Sequence, residues 1–223
     1  MISVAIDGPS GAGKSSIARR VAARLGYTYV DTGALYRAIG LFAHRNGIDD
    51  TDEAALAPRL GEIKVELFYR DGKQHVVLNG EDVSEDIRKP EMSMAASNVS
   101  ALPAVRAFLL DLQRQMARNY NVIMDGRDIG TVVLPHADVK IFLTASAEDR
   151  AMRRYKEFLG RGENISYEEV LEEINRRDYN DSHREIAPLR PAEDAILLDT
   201  TGNTLEQSLD LVERTIRERL QSK

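Results

Sequence analysis

Five short apolar runs separated by stretches of helical spacing predict an α/β fold, a five-stranded parallel sheet flanked by helices. Two further observations refine it. A G-x-x-x-x-G-K-S motif, from Gly8 to Ser15, joins the first apolar run to the first helical stretch, the place of a phosphate-binding loop. Residues 63–84 alternate apolar and polar, which marks a small antiparallel β insertion in an otherwise alternating α/β pattern.

The first run, Ile2–Ile6, reads as a buried strand, and Ser15–Leu25 as a helix with Ile17, Val21 and Leu25 at core spacing and Gly26 as its end. The loop between them comprises Gly8, Pro9, Ser10, Gly11, Ala12, Gly13, Lys14, Ser15 and Ser16. Its glycines let several N–H groups turn inward, and the helix adds the positive end of its dipole. Lys14 suits the β- and γ-phosphates of a nucleotide, and the Ser15 hydroxyl suits Mg²⁺.

Tyr27–Asp31 is the second strand. Thr32 is placed to cap the next helix, which carries Leu35, Ile39 and Phe42 at core spacing and ends at Gly47. Tyr36 and Arg37 fall on its first turn, where ligands collect in open α/β sheets; a surface pair on an amphipathic helix is the alternative. In the insertion, Ile63, Val65, Leu67 and Tyr69 alternate, Asp71-Gly72 makes a hairpin turn, and Val76–Leu78 returns before Asn79-Gly80. Residues 86–118 are helical with a break near Pro103. Asn121–Gly126 and Val139–Ala145 are further strands, and Ser146 with Asp149 caps a helix. Ala195–Asp199 is the last strand and Thr204–Leu220 the closing helix.

The 223 residues suffice for one α/β domain. Hydrophobic residues make up 43% and charged residues 30%, as in a soluble globular protein. No apolar run approaches the length that spans a bilayer, no signal peptide precedes the first strand, and there are no cysteines, so a cytoplasmic protein without disulfides or thiolate metal sites is expected. A net charge of −6 argues against a dedicated nucleic-acid binder.

Within that negative balance the cations are local. Arg150, Arg153, Arg154, Lys156 and Arg161 fall in one short stretch with Gly160 and Gly162 as hinges, a pattern that suits a lid over phosphates; a solvated basic face is the alternative. In the helix from Ser166, Val170 and Ile174 begin an inward stripe that continues as Arg177, Asp181 and Arg184. Buried charge needs a partner or a ligand, so this row should line a cleft, unless the helix end is exposed. A GTPase would carry N-K-x-D, which is absent, and a nucleotide-sensing module would not need a second arginine cluster. A small kinase needs one for an anionic acceptor.

GPSGAGKSS, DTGALYR, DGRDIGTVV, RRYKEFLGRG, RRDYNDSHR and APL, in this order, resemble the bacterial cytidylate kinases over nearly the whole chain. The resemblance implies a P-loop nucleoside-monophosphate-kinase fold in a single domain, 1–223. Its core would be about 1–31, 121–150 and 185–223, its CMP-binding region with the insertion about 32–118, and its short lid about 151–166. It implies a usually monomeric enzyme that phosphorylates CMP and dCMP, with ATP or dATP as donor and Mg²⁺. It further implies that Tyr36, Arg37, Arg127 and Arg184 bind the CMP phosphate, with the Thr32 hydroxyl nearby. Ser97, Arg106 and Asp128 would read cytosine, Arg177 and Asp181 would hold the sugar, and Arg153 and Arg154 would act from the lid beside catalytic Lys14. Asp125 ends a strand beside the loop and would order Mg²⁺ through water, next to Ser15. No general base is expected, because the acceptor phosphate is already an anion.

Overall fold

In the computed structural model, residues 1–70 and 73–222 are described. In chain order the elements are β1 (Ser3–Asp7), α1 (Lys14–Leu25), β2 (Thr28–Asp31), α2 (Thr32–Arg45), α3 (Glu53–Leu56), β3 (Val65–Arg70), β4 (Lys73–Leu78) and β5 (Glu81–Asp82). There follow α4 (Glu91–Ala101), α5 (Pro103–Asn119), β6 (Val122–Gly126), β7 (Val139–Thr144), α6 (Ala147–Gly160), α7 (Tyr167–His183), β8 (Ile196–Asp199) and α8 (Leu205–Gln221). The chain forms two compact units, one of residues 1–29 with 119–223 and one of residues 30–118.

The first unit is built on the five-stranded sheet, in the order β2-β6-β1-β7-β8. The pairs of β1 with β6, β1 with β7, and β7 with β8 are parallel, as the long helical crossovers between them require. Central strands buried on both faces must be apolar throughout: Val4, Ala5 and Ile6 of β1 and Val122, Ile123 and Met124 of β6 are fully enclosed. Ile17 and Val21 of α1 and Leu209, Val212 and Ile216 of α8 pack in the same core, each at helical spacing. Register pairs Ile6 with Asp125 and Asp7 with Gly126, so the carboxyl ends of β1 and β6 bring two aspartates to the start of the glycine-rich loop. Thr204 caps α8 and Ser166 caps α7, each in a reciprocal capping box.

The second unit has its own core, formed by Leu35, Ile39 and Phe42 of α2, Val65 of β3, Val76 and Leu78 of β4, and Met92, Val99, Val105 and Leu109 of α4 and α5. A three-stranded antiparallel sheet, β3-β4-β5, stands where alternation predicts it. The expected turn at Asp71-Gly72 lies outside the described residues. A Cβ on Gly40 would lie 2.9 Å from the Ala95 Cβ, so small residues set how closely α2 and α4 approach. Pro103 opens α5 at the helix position where a missing N–H costs least. One cap is corrected: Asp31, not Thr32, caps α2, its carboxylate accepting the Ala34 N–H at 3.0 Å, and Thr32 is the first helical residue. Asp31 sits one residue earlier in extended backbone, the conformation a cap needs. The short helix Glu53–Leu56 and the tight turn Ala57–Glu62 that follows have too few residues to show a period.

Candidate active site

The glycine-rich loop begins hard against a neighbouring strand. Gly8 has φ +149°, and a Cβ there would come within 1.9 Å of the Leu143 carbonyl oxygen of β7. Gly13, also left-handed, precedes α1 and leaves the helix N-terminus without a side-chain cap. Lys14 is buried, and its ammonium donates to the Pro9 carbonyl at 2.7 Å across the loop. Burial holds Lys14 well below the usual lysine range, and the nearby Arg127 charge adds to this while Asp125 opposes it. The Ser15 hydroxyl donates to Asp125 Oδ2 at 2.8 Å, which places a hydroxyl and a carboxylate side by side where the loop enters α1.

The row on α7 forms as its spacing demands. Val170 and Ile174 are enclosed, and Asp181, on the same stripe, is 2% exposed. Arg127 Nε donates to Asp181 Oδ2 at 2.8 Å, and Arg177 Nε stands 3.8 Å from the same oxygen. Burial alone would raise the Asp181 carboxyl, but Arg127, Arg177 and Arg184 outweigh it and hold it below the usual carboxylate range. Arg184 stands 3.4 Å from Asp128 Oδ1, and its Nε donates to the Ala187 carbonyl at 2.7 Å. Ala187 takes a left-handed φ of 51°, and the Leu189 N–H returns to the Asp181 carbonyl at 2.7 Å, so a strained turn locks the end of the row. Thus Arg127, Asp128, Arg177, Asp181 and Arg184 meet in one polar cluster, and the charges of Arg127 and Arg177 are felt at Lys14.

The basic stretch on α6 divides. Arg150, expected with the lid cations, is buried: Nε donates to the Ala145 carbonyl, one terminal nitrogen to the Ser10 carbonyl at 2.8 Å, and the other to Asp178 at 2.6 Å. It is a strut between β7, the glycine-rich loop and α7. Arg153 donates to the Thr200 carbonyl at 2.7 Å and pairs with Asp149, while Arg154 reaches Glu173 at 3.3 Å and lies over the Phe158 ring.

In the second unit, Arg37 pairs with Asp31 at 2.8 Å, and its buried Nε makes no hydrogen bond. Gln74 of β4 accepts the Asp31 N–H at 3.0 Å, tying the insertion to the start of α2. Arg106 is buried on α5, donates to the Ser100 carbonyl at 3.2 Å and lies 5.9 Å from the Tyr36 ring centroid. Thr32 and Ser97 are buried, Ser97 offering its carbonyl to the Ser100 hydroxyl at 2.8 Å.

Two residues escaped sequence reasoning. Asp7 is 4% exposed and accepts the Ile129 and Gly130 N–H groups, each at 2.7 Å. Burial, with the Asp128 charge adding, raises it to about 7 against the opposing pull of those two amides. Its only signal was that an Asp-Gly pair closes both β1 and β6. Arg150 was seen only as one of a run of cations.

The family model described as cytidylate kinase matches residues 4–218. A cytidylate kinase of Caldicellulosiruptor bescii is 50% identical over 211 residues, covering 95% of this chain and 93% of its own. One from Carboxydothermus hydrogenoformans is 52% identical over 204 residues, 92% of each. In fold, an uncharacterized protein from Eubacterium ventriosum is similar at a TM-score of 0.54 and 10% identity, over 97% of this chain and 98% of that one. With the phosphate loop, the parallel sheet and the arginine row in place, the chain belongs to the cytidylate kinase family.

Proposed function

We propose that this chain transfers the γ-phosphoryl group of ATP to the phosphate of CMP and of dCMP. The observation that carries the reading is the cluster of Arg127, Arg177 and Arg184 around two carboxylates, in the same unit as the phosphate loop, with Arg127 and Arg177 close enough to act on Lys14. A nucleotide-binding module needs the loop; an anionic acceptor needs the second set of cations.

The loop from Gly8 to Ser16 cradles the donor phosphates. Lys14, whose charge burial disfavours, finds in a polyphosphate the anionic partner that favours it, and follows the charge that builds up on the transferred group. Ser15 and, through water, Asp125 would hold Mg²⁺, which would supply positive charge to offset that of the phosphates. The pair fits that ion: both donors are oxygens, they stand together, and Mg²⁺ in such sites takes few protein ligands. Arg127, Arg184, Tyr36 and Arg37 bind the acceptor phosphate, with Thr32 beside them. Arg177 and Asp181 hold the sugar, and Ser97, Arg106 and Asp128 read the base. Arg153 and Arg154 exchange their present partners for phosphate oxygens from a lid over about 151–166, and residues 32–118 act as the acceptor region. The acceptor oxygen is already anionic, so no residue removes a proton. Among the described residues no helix is long and apolar enough to cross a membrane, and the enzyme works as a cytoplasmic monomer.

An ADP-release assay with ATP and each of AMP, GMP, UMP, CMP, dCMP and dTMP tests the activity; equal rates with all six would refute it. Asp128→Asn tests base reading. A carboxylate accepts only, suiting the cytosine amine and repelling the uracil carbonyl, whereas an amide can turn either way. The CMP/UMP ratio of kcat/KM should fall about tenfold or more, through loss on CMP, within the range that unmet buried polar groups produce.

A further inference from the structure

Asp128 occupies the position before a helix-like turn where an aspartate ordinarily caps its own turn. The turn is a single wide one: the Val132 and Val133 N–H groups both reach the Asp128 carbonyl, at 2.9 and 3.2 Å, and the Leu134 N–H reaches the Ile129 carbonyl at 2.7 Å. Its first two amides, Ile129 and Gly130, have no partner within the turn, as at any helix start. The Asp128 side chain does not cap them. Asp7, 122 residues earlier and on another strand, does, with one carboxylate oxygen to each amide. A Cβ on Gly130 would stand 3.3 Å from Asp7 Oδ2 and 3.2 Å from Lys140 Cδ, so glycine keeps that approach open.

We propose that Asp7 is a positioning residue for base choice: by capping the 129–133 turn from β1, it relieves Asp128 of that task and holds its carboxylate out toward Arg184 and the base. The proposal rests on the reading of Asp128 as a base contact. Without Asp7, two adjacent amides lose their acceptor, and the nearest replacement is the Asp128 carboxylate itself, folded back onto its own turn. Asp7 therefore acts on specificity through a competition for two hydrogen bonds. A merely structural Asp7 would weaken the fold and lower activity on both bases alike.

The test is Asp7→Asn, alone and combined with Asp128→Asn. The amide keeps one acceptor and turns a donor toward the other N–H. The CMP/UMP ratio of kcat/KM should fall about fivefold, the factor to which a lost cap of ordinary strength corresponds. Amide exchange at Ile129 and Gly130 should quicken, and in the Asp128→Asn background Asp7→Asn should leave the ratio where it is. If Asp128→Asn shifts the ratio and Asp7→Asn does not, Asp7 has no part in base choice. If Asp128→Asn itself leaves the ratio unchanged, the base reading fails and takes this inference with it. Should Asp7→Asn not fold, the wild type still decides. Protonation of Asp7 removes one acceptor, and the groups acting on it are Asp128 and Lys14. The wild-type ratio should then fall as pH is lowered from about 8 to about 6, across its titration. The phosphate titrations of CMP and UMP cancel in that ratio, and a flat ratio overturns the proposal.

Discussion

Asp7 and Asp181 are buried to nearly the same degree, at 4% and 2% exposure, yet their carboxyls move in opposite directions. Asp7 meets two neutral amides, which cannot repay the loss of water, and rises to about 7. Asp181 meets Arg127 and Arg177 directly and feels Arg184, so it stays ionised below the usual range. Depth of burial therefore says little about a carboxylate. What surrounds it decides whether it is a fixed charge, as at Asp181, or a polar clip that gains a proton near neutrality, as at Asp7.

The contrast is most severely tested at Asp181. Asp181→Ala would take from Arg127 and Arg177 the carboxylate they share, leaving Asp128 beside Arg184, and removing one partner of a buried pair costs about 3–5 kcal/mol. Arg127 keeps some solvent contact, which places the expected loss toward the lower end. Urea unfolding measures it, and a loss within error would mean the arginines do not depend on this carboxylate. KM for CMP and dCMP should rise with ATP binding close to normal.

A pH series on stability separates the two groups next. Asp7 has a folded pKa above its unfolded value, so its ionisation opposes folding at pH 8, and that penalty is relieved as pH falls from about 7 toward 4. Asp181 has a depressed folded pKa, so its contribution is present above the unfolded value of 3.8 and is lost as pH falls below it. Between pH 7 and 5 the wild type should therefore gain on Asp7→Asn, by at most about 1.4 kcal/mol per pH unit. A difference constant across this range would place Asp7 in the same class as Asp181.

The smallest effect concerns backbone. The turn after Asp181 contains the left-handed Ala187, whose carbonyl holds Arg184. Ala187→Gly should raise stability by about 0.5–1 kcal/mol, since alanine pays more than glycine for this conformation. A lower melting temperature in the variant would show that the alanine methyl contributes packing that outweighs the strain.

Much of this was legible in the sequence. The strands and the phosphate loop follow from apolar runs and glycine spacing. The row Val170, Ile174, Arg177, Asp181, Arg184 follows from helical period alone, because one face of α7 passes from core to cluster without changing direction. What failed to show was partnership across distance. Arg150 and Arg153 look alike in a run of cations, yet the former faces three acceptors from separate segments. Asp7 reads as the end of a strand, and nothing local reveals that its partners lie 122 and 123 residues on. Thr32 and Asp31 were both competent caps, and backbone conformation chose between them.

Gly8 has a consequence for how such loops are recognised among distant relatives. Its lack of a side chain is demanded by the Leu143 carbonyl of the adjoining strand, before any nucleotide arrives. A descendant that had abandoned ATP would still be bound to glycine at this position as long as it kept the seat of β1 against β7. The first letter of the motif is thus inherited for the sheet, and a degenerate copy should be judged by whether it retains Lys14 and Ser15.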